Sequence, residues 1–451
     1  MKSRKLVIGI AALMAILPMA LPAFAASDSP SLETRIEELE SKVRRLEALL
    51  QQQSVQVESC ARVEEVEDAV ASCAKIDEVE EAIADAPTRL TLYDETDVKV
   101  GGYIKMDALL SDYSKAPTRG VGEDLFIPGT INTSGAPEDP RLNFHAKETR
   151  FWLKSFTPTD RGDITTHFEI DFLLGQQGNE RVGNSFSARI RHAALSWGHW
   201  TVGQTWTNFF NTSTLPEYLD FVGPVGVTFG RQAQIRYTLP TDSGSWTFSL
   251  ENSETTLTPY EGGPRIDADD GTFPDLVVRR NWSGDWGNVS VAALIRELKI
   301  SEAGFEDAET GGAIGVAGKF RVGEGDDIRW QLNYGNALGR YMGLNAFNAG
   351  TLNANNEISL TTQYGMLAAY RHVWNERLHS SFGASFARSH NDIAISGLAV
   401  PEAYQSAHAD IIWSPIERMS VGAEYIWGRR EDESGEDGAL NRLQLSAKYL
   451  Y

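Results

Sequence analysis

Residues 441–451 alternate strictly between apolar and polar side chains. The apolar positions are Leu443, Leu445, Ala447, Tyr449 and Tyr451, and their spacing places them on one face of a strand. An apolar strand at an open sheet edge invites aggregation. An outer-membrane barrel instead pairs its last strand with its first, and it needs apolar residues toward lipid and polar residues toward the lumen. The segment therefore predicts a closed antiparallel barrel.

The N-terminal residues predict export. Three basic residues precede an apolar run from Leu6 to Leu17, and the pattern Ala23-Phe24-Ala25 follows. This order is typical of a secretory signal peptide cleaved after Ala25. The run is shorter than the ~20 residues of a spanning helix, and no later stretch has that length and character. An exported membrane protein of this kind is expected to be a barrel.

Composition agrees with that expectation. The formal net charge is −21, which excludes a typical nucleic-acid-binding protein. The chain has 40 glycines and 11 tryptophans, and aromatic residues make up 10% of it. Many short strands with tight turns and interfacial aromatic rings use such residues.

Residues 32 to about 83 have a different, helical period. Apolar residues recur at alternating spacings of four and three, between charged residues, at Leu32, Ile36, Leu39, Val43, Leu46 and Leu50. This is the heptad pattern of a coiled coil. A coiled coil takes its partners from other copies of the chain, so we expect a homo-oligomer, with a trimer as the first choice. The alternative is an amphipathic helix lying on its own barrel.

The predicted organisation has three parts. They are a signal peptide (1–25), a coiled-coil arm in the periplasm (26–90) and a transmembrane β-barrel (91–451). The two cysteines, Cys60 and Cys73, lie in the arm. On one continuous helix they would be ~20 Å apart, which is too far for a disulfide. Either a break between them forms a hairpin closed by one disulfide, or the cysteines pair between chains.

From Val98 onward the period is two. About sixteen alternating segments follow, each near the ten residues of a tilted membrane strand. They are 98–110, 141–157, 164–174, 185–198, 199–209, 231–240, 244–252, 275–284, 287–300, 310–323, 326–338, 358–374, 377–390, 403–415, 418–430 and 440–451. Short turns alternate with long polar loops between them, as in outer-membrane barrels. The predicted fold is all-β, a 16-stranded antiparallel transmembrane β-barrel (porin) with an N-terminal helical arm.

The sequence lacks patterns of catalytic and cofactor sites. It has neither a Gly-x-Ser-x-Gly elbow nor a His-Glu-x-x-His pair, and Gly318-Lys319 lacks the flanking residues of a phosphate loop. Residues 267–271 begin like a calcium loop, but its twelfth position is Val278 instead of Glu. We therefore expect no enzyme, no cofactor and no metal site. A barrel hydrolase would need a Ser, His and acid together, and no such trio can be nominated.

Charged residues on the predicted lumen faces carry the functional interpretation. A charge facing lipid at mid-bilayer costs roughly 2–4 kcal/mol, so we expect these side chains to face the pore. The predicted pore-lining, substrate-binding residues are Lys105, Arg150, Lys154, Arg189, Arg191, Arg231, Arg236 and Arg279. Arginine binds carboxylates with two parallel hydrogen bonds, so these residues predict an anion path. The alternative is that they only pair with Glu148, Glu169 and Asp171.

The loop from Phe209 to Gly230 follows the fifth predicted strand, where general porins have their constricting loop. Its central residues Pro216, Glu217, Tyr218 and Asp220 are predicted to fold inward and narrow the pore. The alternative is an external loop that makes subunit contacts.

Three short sequences give a family resemblance. They are Gly101-Gly102-Tyr103-Ile104-Lys105, Glu148-Thr149-Arg150-Phe151-Trp152 and Gly203-Gln204-Thr205-Trp206. With the heptad-bearing arm before them, they make the chain resemble the DcaP-like outer-membrane porins. The resemblance implies a trimeric, sixteen-stranded channel with an arginine-lined constriction that admits small anions, dicarboxylates among them. It also implies a coiled coil in the periplasm.

The sequence therefore predicts a porin in the outer membrane of a Gram-negative bacterium. It would pass small, preferably anionic solutes such as carboxylates or dicarboxylates by passive diffusion. The alternatives are a general, weakly cation-selective porin and a structural barrel that tethers the envelope. The expected partners are two further copies of the chain, outer-membrane lipid and lipopolysaccharide, small anionic solutes and, through the arm, peptidoglycan.

Overall fold

The structure is a computed structural model that describes residues 96–117, 120–174, 183–302 and 304–451. The predicted signal peptide, the coiled-coil arm and both cysteines lie outside these residues. Within the described part, no helix is long and apolar enough to cross a membrane.

The described residues form 21 strands, two short α-helices, α1 (Val121–Asp124) and α2 (Ile393–Ser396), and three 3-10 helices, Pro128–Thr130, Thr212–Thr214 and Gly339–Tyr341. The strands are β1 (Asp97–Tyr113), β2 (Arg141–His145), β3 (Arg150–Thr157), β4 (Ile164–Asp171), β5 (Arg189–Trp197), β6 (Trp200–Trp206), β7 (Arg231–Thr241), β8 (Gly244–Glu251), β9 (Thr255–Thr258), β10 (Ile266–Ala268), β11 (Asp275–Gly284), β12 (Gly287–Glu302), β13 (Phe305–Val322), β14 (Asp326–Gly335), β15 (Gly350–Leu352), β16 (Ile358–Leu360), β17 (Thr362–Asn375), β18 (Leu378–His390), β19 (Pro401–Trp413), β20 (Met419–Asp432) and β21 (Asp437–Leu450).

Seventeen of these strands form one closed antiparallel sheet. β2 and β3 both pair with β1, at residues 107–111 and 97–103 respectively, so they are two halves of one barrel strand. The described residues thus make a 16-stranded antiparallel barrel, and the predicted barrel is confirmed. β21 closes it against β1 from Tyr103↔Leu450 to Tyr113↔Leu440. The backbone N–H of Tyr451 donates to the Gly102 carbonyl at 3.2 Å.

Gly102 explains part of this closure. Its φ is +157°, and a Cβ there would lie 2.0 Å from the Arg150 carbonyl oxygen. Only a glycine fits at this close approach of β1 to β3, beside the end of β21.

Side-chain alternation separates the two faces of the barrel wall. On β14, Leu332 and Tyr334 are 52% and 59% exposed on the outer face, whereas Gln331 and Asn333 are 0% and 5% exposed on the inner face. An apolar outside and a polar inside are what a membrane barrel requires.

Most connections are longer at one end of the barrel than at the other. At one end are short turns, at residues 158–163, 198–199, 242–243, 285–286, 323–325, 376–377 and 414–418. At the other end are the loops, which we number 1 to 8: residues 114–140, 172–188, 207–230, 252–274, 303–304, 336–361, 391–400 and 433–436. In outer-membrane barrels the short turns face the periplasm and the long loops face outward.

Two regions differ from the sequence prediction. Residues 301–309 were expected to be a loop, but β12 and β13 continue to Glu302 and Phe305 as one long hairpin. Charged residues such as Glu302 and Glu306 give this extension the character of a polar loop. In the structure Glu306 Oε1 lies 2.8 Å from Lys299 Nζ across the hairpin. In addition, β9, β10, β15 and β16 form a separate four-stranded sheet within loops 4 and 6.

Candidate functional site

Loop 3 folds into the barrel lumen. It is rich in apolar residues. Five of their side chains are at most 3% exposed, namely those of Phe209, Phe210, Val222, Val225 and Val227. A loop with so much apolar surface is stabilised by burial, and the lumen supplies that burial.

Hydrogen bonds attach loop 3 to the wall opposite its own strands. The backbone N–H of Gly226 donates to Ser385 Oγ on β18 at 2.8 Å, and that of Asp220 donates to Glu424 Oε2 on β20 at 2.7 Å. A Cβ on Gly226 would lie 2.4 Å from the Phe386 carbonyl oxygen, so the loop backbone touches the wall directly. Loop 3 therefore crosses the lumen.

Glu217 forms ion pairs between loop 3 and that wall. Its Oε1 lies 2.7 Å from Arg329 Nη2, and its Oε2 lies 3.0 Å from Arg371 Nε. Burial alone would raise the pKa of Glu217, but hydrogen bonding to Arg329 and attraction from both arginines lower it overall. The carboxylate therefore stays ionised at neutral pH.

The other predicted constriction residues also lie against the wall. Pro216 is buried. The Tyr218 ring stacks on His408, with centroids 4.7 Å apart. Lys105 lies beneath the loop, where its Nζ donates to the Leu219 carbonyl at 2.6 Å and forms an ion pair with Glu148.

Asp220 joins loop 3 to loop 1. The carboxylate is 5% exposed and accepts three backbone N–H groups, from Phe126 of loop 1 at 2.8 Å, from Val222 at 3.0 Å and from Gly223 at 2.9 Å. Loop 6 joins from another side, because the Phe229 N–H donates to the Tyr341 carbonyl at 3.0 Å. Loops 1, 3 and 6 thus contact one another inside the mouth of the barrel.

Four arginines surround one aromatic ring of loop 3. The Cζ atoms of Arg150, Arg189, Arg191 and Arg231 lie 5.9, 5.6, 4.7 and 5.8 Å from the centroid of Phe221. We call these four residues the arginine cluster. Its members come from β3, β5 and β7, which are on the side of the barrel away from the wall that Glu217 contacts.

Two carboxylates of β4 partly neutralise the arginine cluster. Asp171 Oδ2 lies 2.7 Å from both Arg189 Nη2 and Arg191 Nη1. Glu169 Oε1 lies 2.5 Å from Arg191 Nε and 3.5 Å from Arg150 Nε. Four guanidinium groups face two carboxylates, so the group has an excess of two positive charges.

Arg231 differs from the other three arginines. Among the described residues no carboxylate lies within salt-bridge distance of it, and its buried Nε and Nη2 atoms have no hydrogen-bond partner there. Its guanidinium instead lies 3.9 Å from the ring centroid of Trp206. A buried charged donor without an acceptor is costly, so this group is suited to binding an anion.

Two cavities flank the cluster. One, of about 560 Å³, is lined by Arg189, Arg231 and Arg340 with Phe229 and Tyr341 among its other residues. The second, of about 650 Å³ and toward the short-turn end, is lined by Lys99, Lys154 and His167 among others.

The remaining predicted residues do not join the arginine cluster. Lys154 lies in the second cavity, with its Nζ 5.0 Å from the Trp152 ring centroid. Arg236 donates to the Trp206 carbonyl and to Gln234, and Arg279 donates to the Phe210 carbonyl. Arg279 therefore attaches the beginning of loop 3 to the wall, and Arg236 bonds the last residue of β6, directly before the loop.

Sequence reasoning missed several residues of this site. Arg340 lies in loop 6, where there is no strand alternation to predict which way a side chain points. Arg329 and Arg371 were not selected, because their link to Glu217 joins positions more than 100 residues apart. Phe221 is one of several aromatic residues in loop 3, and nothing local distinguishes it. Among the described residues no group of three or more His, Cys, Asp or Glu could hold a metal ion.

Comparison with known proteins identifies the family. Residues 48–451 match the model of the family described as DcaP outer membrane protein. The fold is similar to the outer membrane channel DcaP of Acinetobacter baumannii, with 21% identity, coverage of 80% of this chain and 99% of that chain, and a TM-score of 0.68. It is also similar to an anion-selective porin from Comamonas acidovorans, with 10% identity, coverage of 79% and 100%, and a TM-score of 0.50. No curated protein sequence matches the chain. The chain belongs to the DcaP outer membrane protein family, and its fold is that of a porin.

Proposed function

We propose that this protein is a passive outer-membrane channel that prefers small anions, carboxylates and dicarboxylates in particular. The observation that carries the proposal is the arginine cluster, with its excess of two positive charges and the unpaired guanidinium of Arg231. Loop 3 crosses the lumen and packs Phe221 directly against the arginines. The free path would therefore run beside the cluster, through the cavity lined by Arg189 and Arg231.

The chemistry of passage follows from this arrangement. An anion loses part of its hydration in a narrow segment, and guanidinium groups replace water as hydrogen-bond donors. The carboxylates of Glu169 and Asp171 compete for Arg189 and Arg191, which keeps binding weak enough for release. Lys154, in the cavity toward the short-turn end, would receive the anion next.

The second candidate is a general, weakly cation-selective porin. The net negative charge of the barrel residues favours it, as do the two carboxylates beside the arginine cluster. In that case the arginines would have a purely structural role in pairing with Glu169 and Asp171. The candidates predict opposite signs of ion selectivity.

Replacement of Arg189 and Arg191 by Ala tests the proposal. Removing both charges leaves Asp171 without its two ion pairs, so the local excess of positive charge disappears. We expect the reversal potential in planar bilayers under a salt gradient to shift toward that of a cation-selective channel. Arg161→Ala, in an exposed short turn, is the matched control. Unchanged selectivity in the double variant would refute the assigned path.

We also propose a homotrimer whose residues 26–90 form a periplasmic coiled-coil arm after removal of residues 1–25. The heptads of residues 32–50 support this assembly. Deletion of residues 27–90 separates two roles for the arm. Dissociation into monomers would assign it to assembly, whereas envelope defects with intact trimers and conductance would assign it to a peptidoglycan tether.

A further inference from the structure

Arg280 lies on the outer, lipid-facing side of β11. Its neighbours of the same face, Leu276, Val278 and Trp282, are 44%, 37% and 37% exposed, and its partner across the strand pair with β8 is Trp246. The same alternation that turns apolar residues outward therefore turns this arginine outward.

The position of Arg280 is close to the short-turn end of the barrel. β11 ends four residues later, at Gly284, so the Cα of Arg280 is about 10 Å from that end along a tilted strand. Aromatic rings continue the row at this level. Trp286 of the turn at residues 285–286 lies 5.8 Å from Phe320 on β13, which lies 6.2 Å from Trp330 on β14, measured between ring centroids. Such a row marks the membrane–water interface.

The guanidinium group is held in a defined orientation. Its Cζ lies 5.6 Å from the ring centroid of Trp246 and 5.2 Å from that of Trp282. Its Nη1 donates to Thr241 Oγ1 at 2.7 Å, and its Nη2 donates to Ser243 Oγ at 2.9 Å. These bonds direct the side chain toward the turn at residues 242–243, so it extends toward the interface.

The charge of Arg280 has no counter-ion in the described part of the chain, because no carboxylate there lies within salt-bridge distance of it. The two recorded hydrogen bonds use two of its five N–H donors. Arginine binds phosphate oxygens in pairs, and tryptophan prefers the headgroup level of a bilayer. A phospholipid whose phosphate binds the Arg280 guanidinium would therefore also lie against the two indole rings.

We propose that Arg280, Thr241, Ser243, Trp246 and Trp282 form a binding site for the phosphate group of a phospholipid in the periplasmic leaflet. The guanidinium and the two hydroxyls contact the phosphate, and the two indoles contact the glycerol and the upper acyl chains. The site lies on the outside of the barrel, so it is independent of what the channel conducts. It also fixes the height of the barrel wall in the membrane.

Native mass spectrometry of the full-length protein in detergent micelles tests the site. Phosphatidylglycerol is titrated against diacylglycerol, which has the same chains without phosphate. Wild-type protein should retain phosphatidylglycerol, and Arg280→Gln should bind it about tenfold more weakly, as expected for loss of one charge-assisted contact. Arg280→Lys keeps the charge without the planar guanidinium group, so its affinity for phosphatidylglycerol should lie between those of the wild type and Arg280→Gln. Arg377→Gln, in an exposed short turn, is the control and should behave like the wild type.

Three outcomes would overturn the proposal. Equal retention of the two lipids by the wild type would remove the role of phosphate. Inorganic phosphate is added as a competitor. If it displaces bound phosphatidylglycerol from Arg280 as readily as further lipid does, the site binds soluble phosphate and not a lipid. Loss of oligomers in Arg280→Gln would place the residue in a subunit contact. If Arg280→Gln does not fold, Trp282→Leu is measured in its place, and it should also weaken phosphatidylglycerol binding.

Discussion

Asp220 holds loop 3 against loop 1 inside the lumen, and its substitution gives the most specific structural prediction. We call this position of loop 3 the seated arrangement. Asp220→Ala removes the acceptor of three backbone N–H groups, those of Phe126, Val222 and Gly223. A buried donor left without a partner costs roughly 1–3 kcal/mol. Three donors lose their acceptor, and water that enters recovers part of this loss. The free energy that favours the seated arrangement over a released loop should therefore fall by about 3–6 kcal/mol. Even the lower figure changes the ratio of seated to released loop by more than about 100-fold.

The barrel itself should survive this substitution, because its strand ladders do not involve Asp220. Heat-modifiable migration in gels should therefore remain that of the wild type. In planar bilayers we expect a larger mean single-channel conductance and frequent transitions between levels, as loop 3 leaves the lumen. Asp220→Asn retains one acceptor oxygen and should give a smaller change in the same direction.

Glu436→Ala is the matched control for Asp220→Ala. It removes an exposed carboxylate at the same end of the barrel, in loop 8, without a contact to loop 3. A folded Asp220→Ala protein with the conductance and current noise of the wild type would refute the inferred seating of loops 1 and 3.

Three further predictions concern loop 3 and the wall. The lowered pKa of Glu217 means that its ion pair with Arg329 is fully present above the ordinary Glu value of about 4.3 and is lost as the pH falls through the lower folded-state value. Wild-type conductance should therefore change only under strongly acidic conditions, and Glu217→Gln should show the altered conductance already at neutral pH. Gly226→Val places a side chain against the Phe386 carbonyl, where a Cβ has only 2.4 Å, and should release loop 3 as Asp220→Ala does; unaltered conductance would contradict this. Arg442→Ala removes a fully buried guanidinium that donates to three acceptors and should destabilise the fold by roughly 2–4 kcal/mol, measured as a lower temperature of the heat-modifiable gel transition. An unchanged transition temperature would show that Arg442 is dispensable.

The barrel wall could be predicted from the sequence because its signal is local. Each strand alternates with a period of two, and each face has one environment over its whole length. The strand near residues 141–157 shows the limit of such reasoning. The structure interrupts it between His145 and Arg150, where Glu148 turns inward to pair with Lys105. That interruption depends on a partner 43 residues away, which no local pattern reveals.

The interior site was only partly predictable for the same reason. Strand alternation selected Arg150, Arg189, Arg191 and Arg231, which lie together around Phe221. It also selected Arg279, which attaches the beginning of loop 3 to the wall, and Arg236, which bonds the last residue of β6. Which arginines remain available to a solute depends on the path of loop 3 across the lumen. That path is set by contacts between distant parts of the chain.

The zero-current potential of the wild-type channel tests the central claim most directly. Purified full-length protein is inserted into planar bilayers of neutral lipid, with potassium chloride at unequal concentrations on the two sides. The proposed function predicts a potential near the chloride equilibrium value, and it predicts that dicarboxylates added to one side reduce the chloride current. A potential near the potassium equilibrium value would contradict it and would favour a general cation-selective porin.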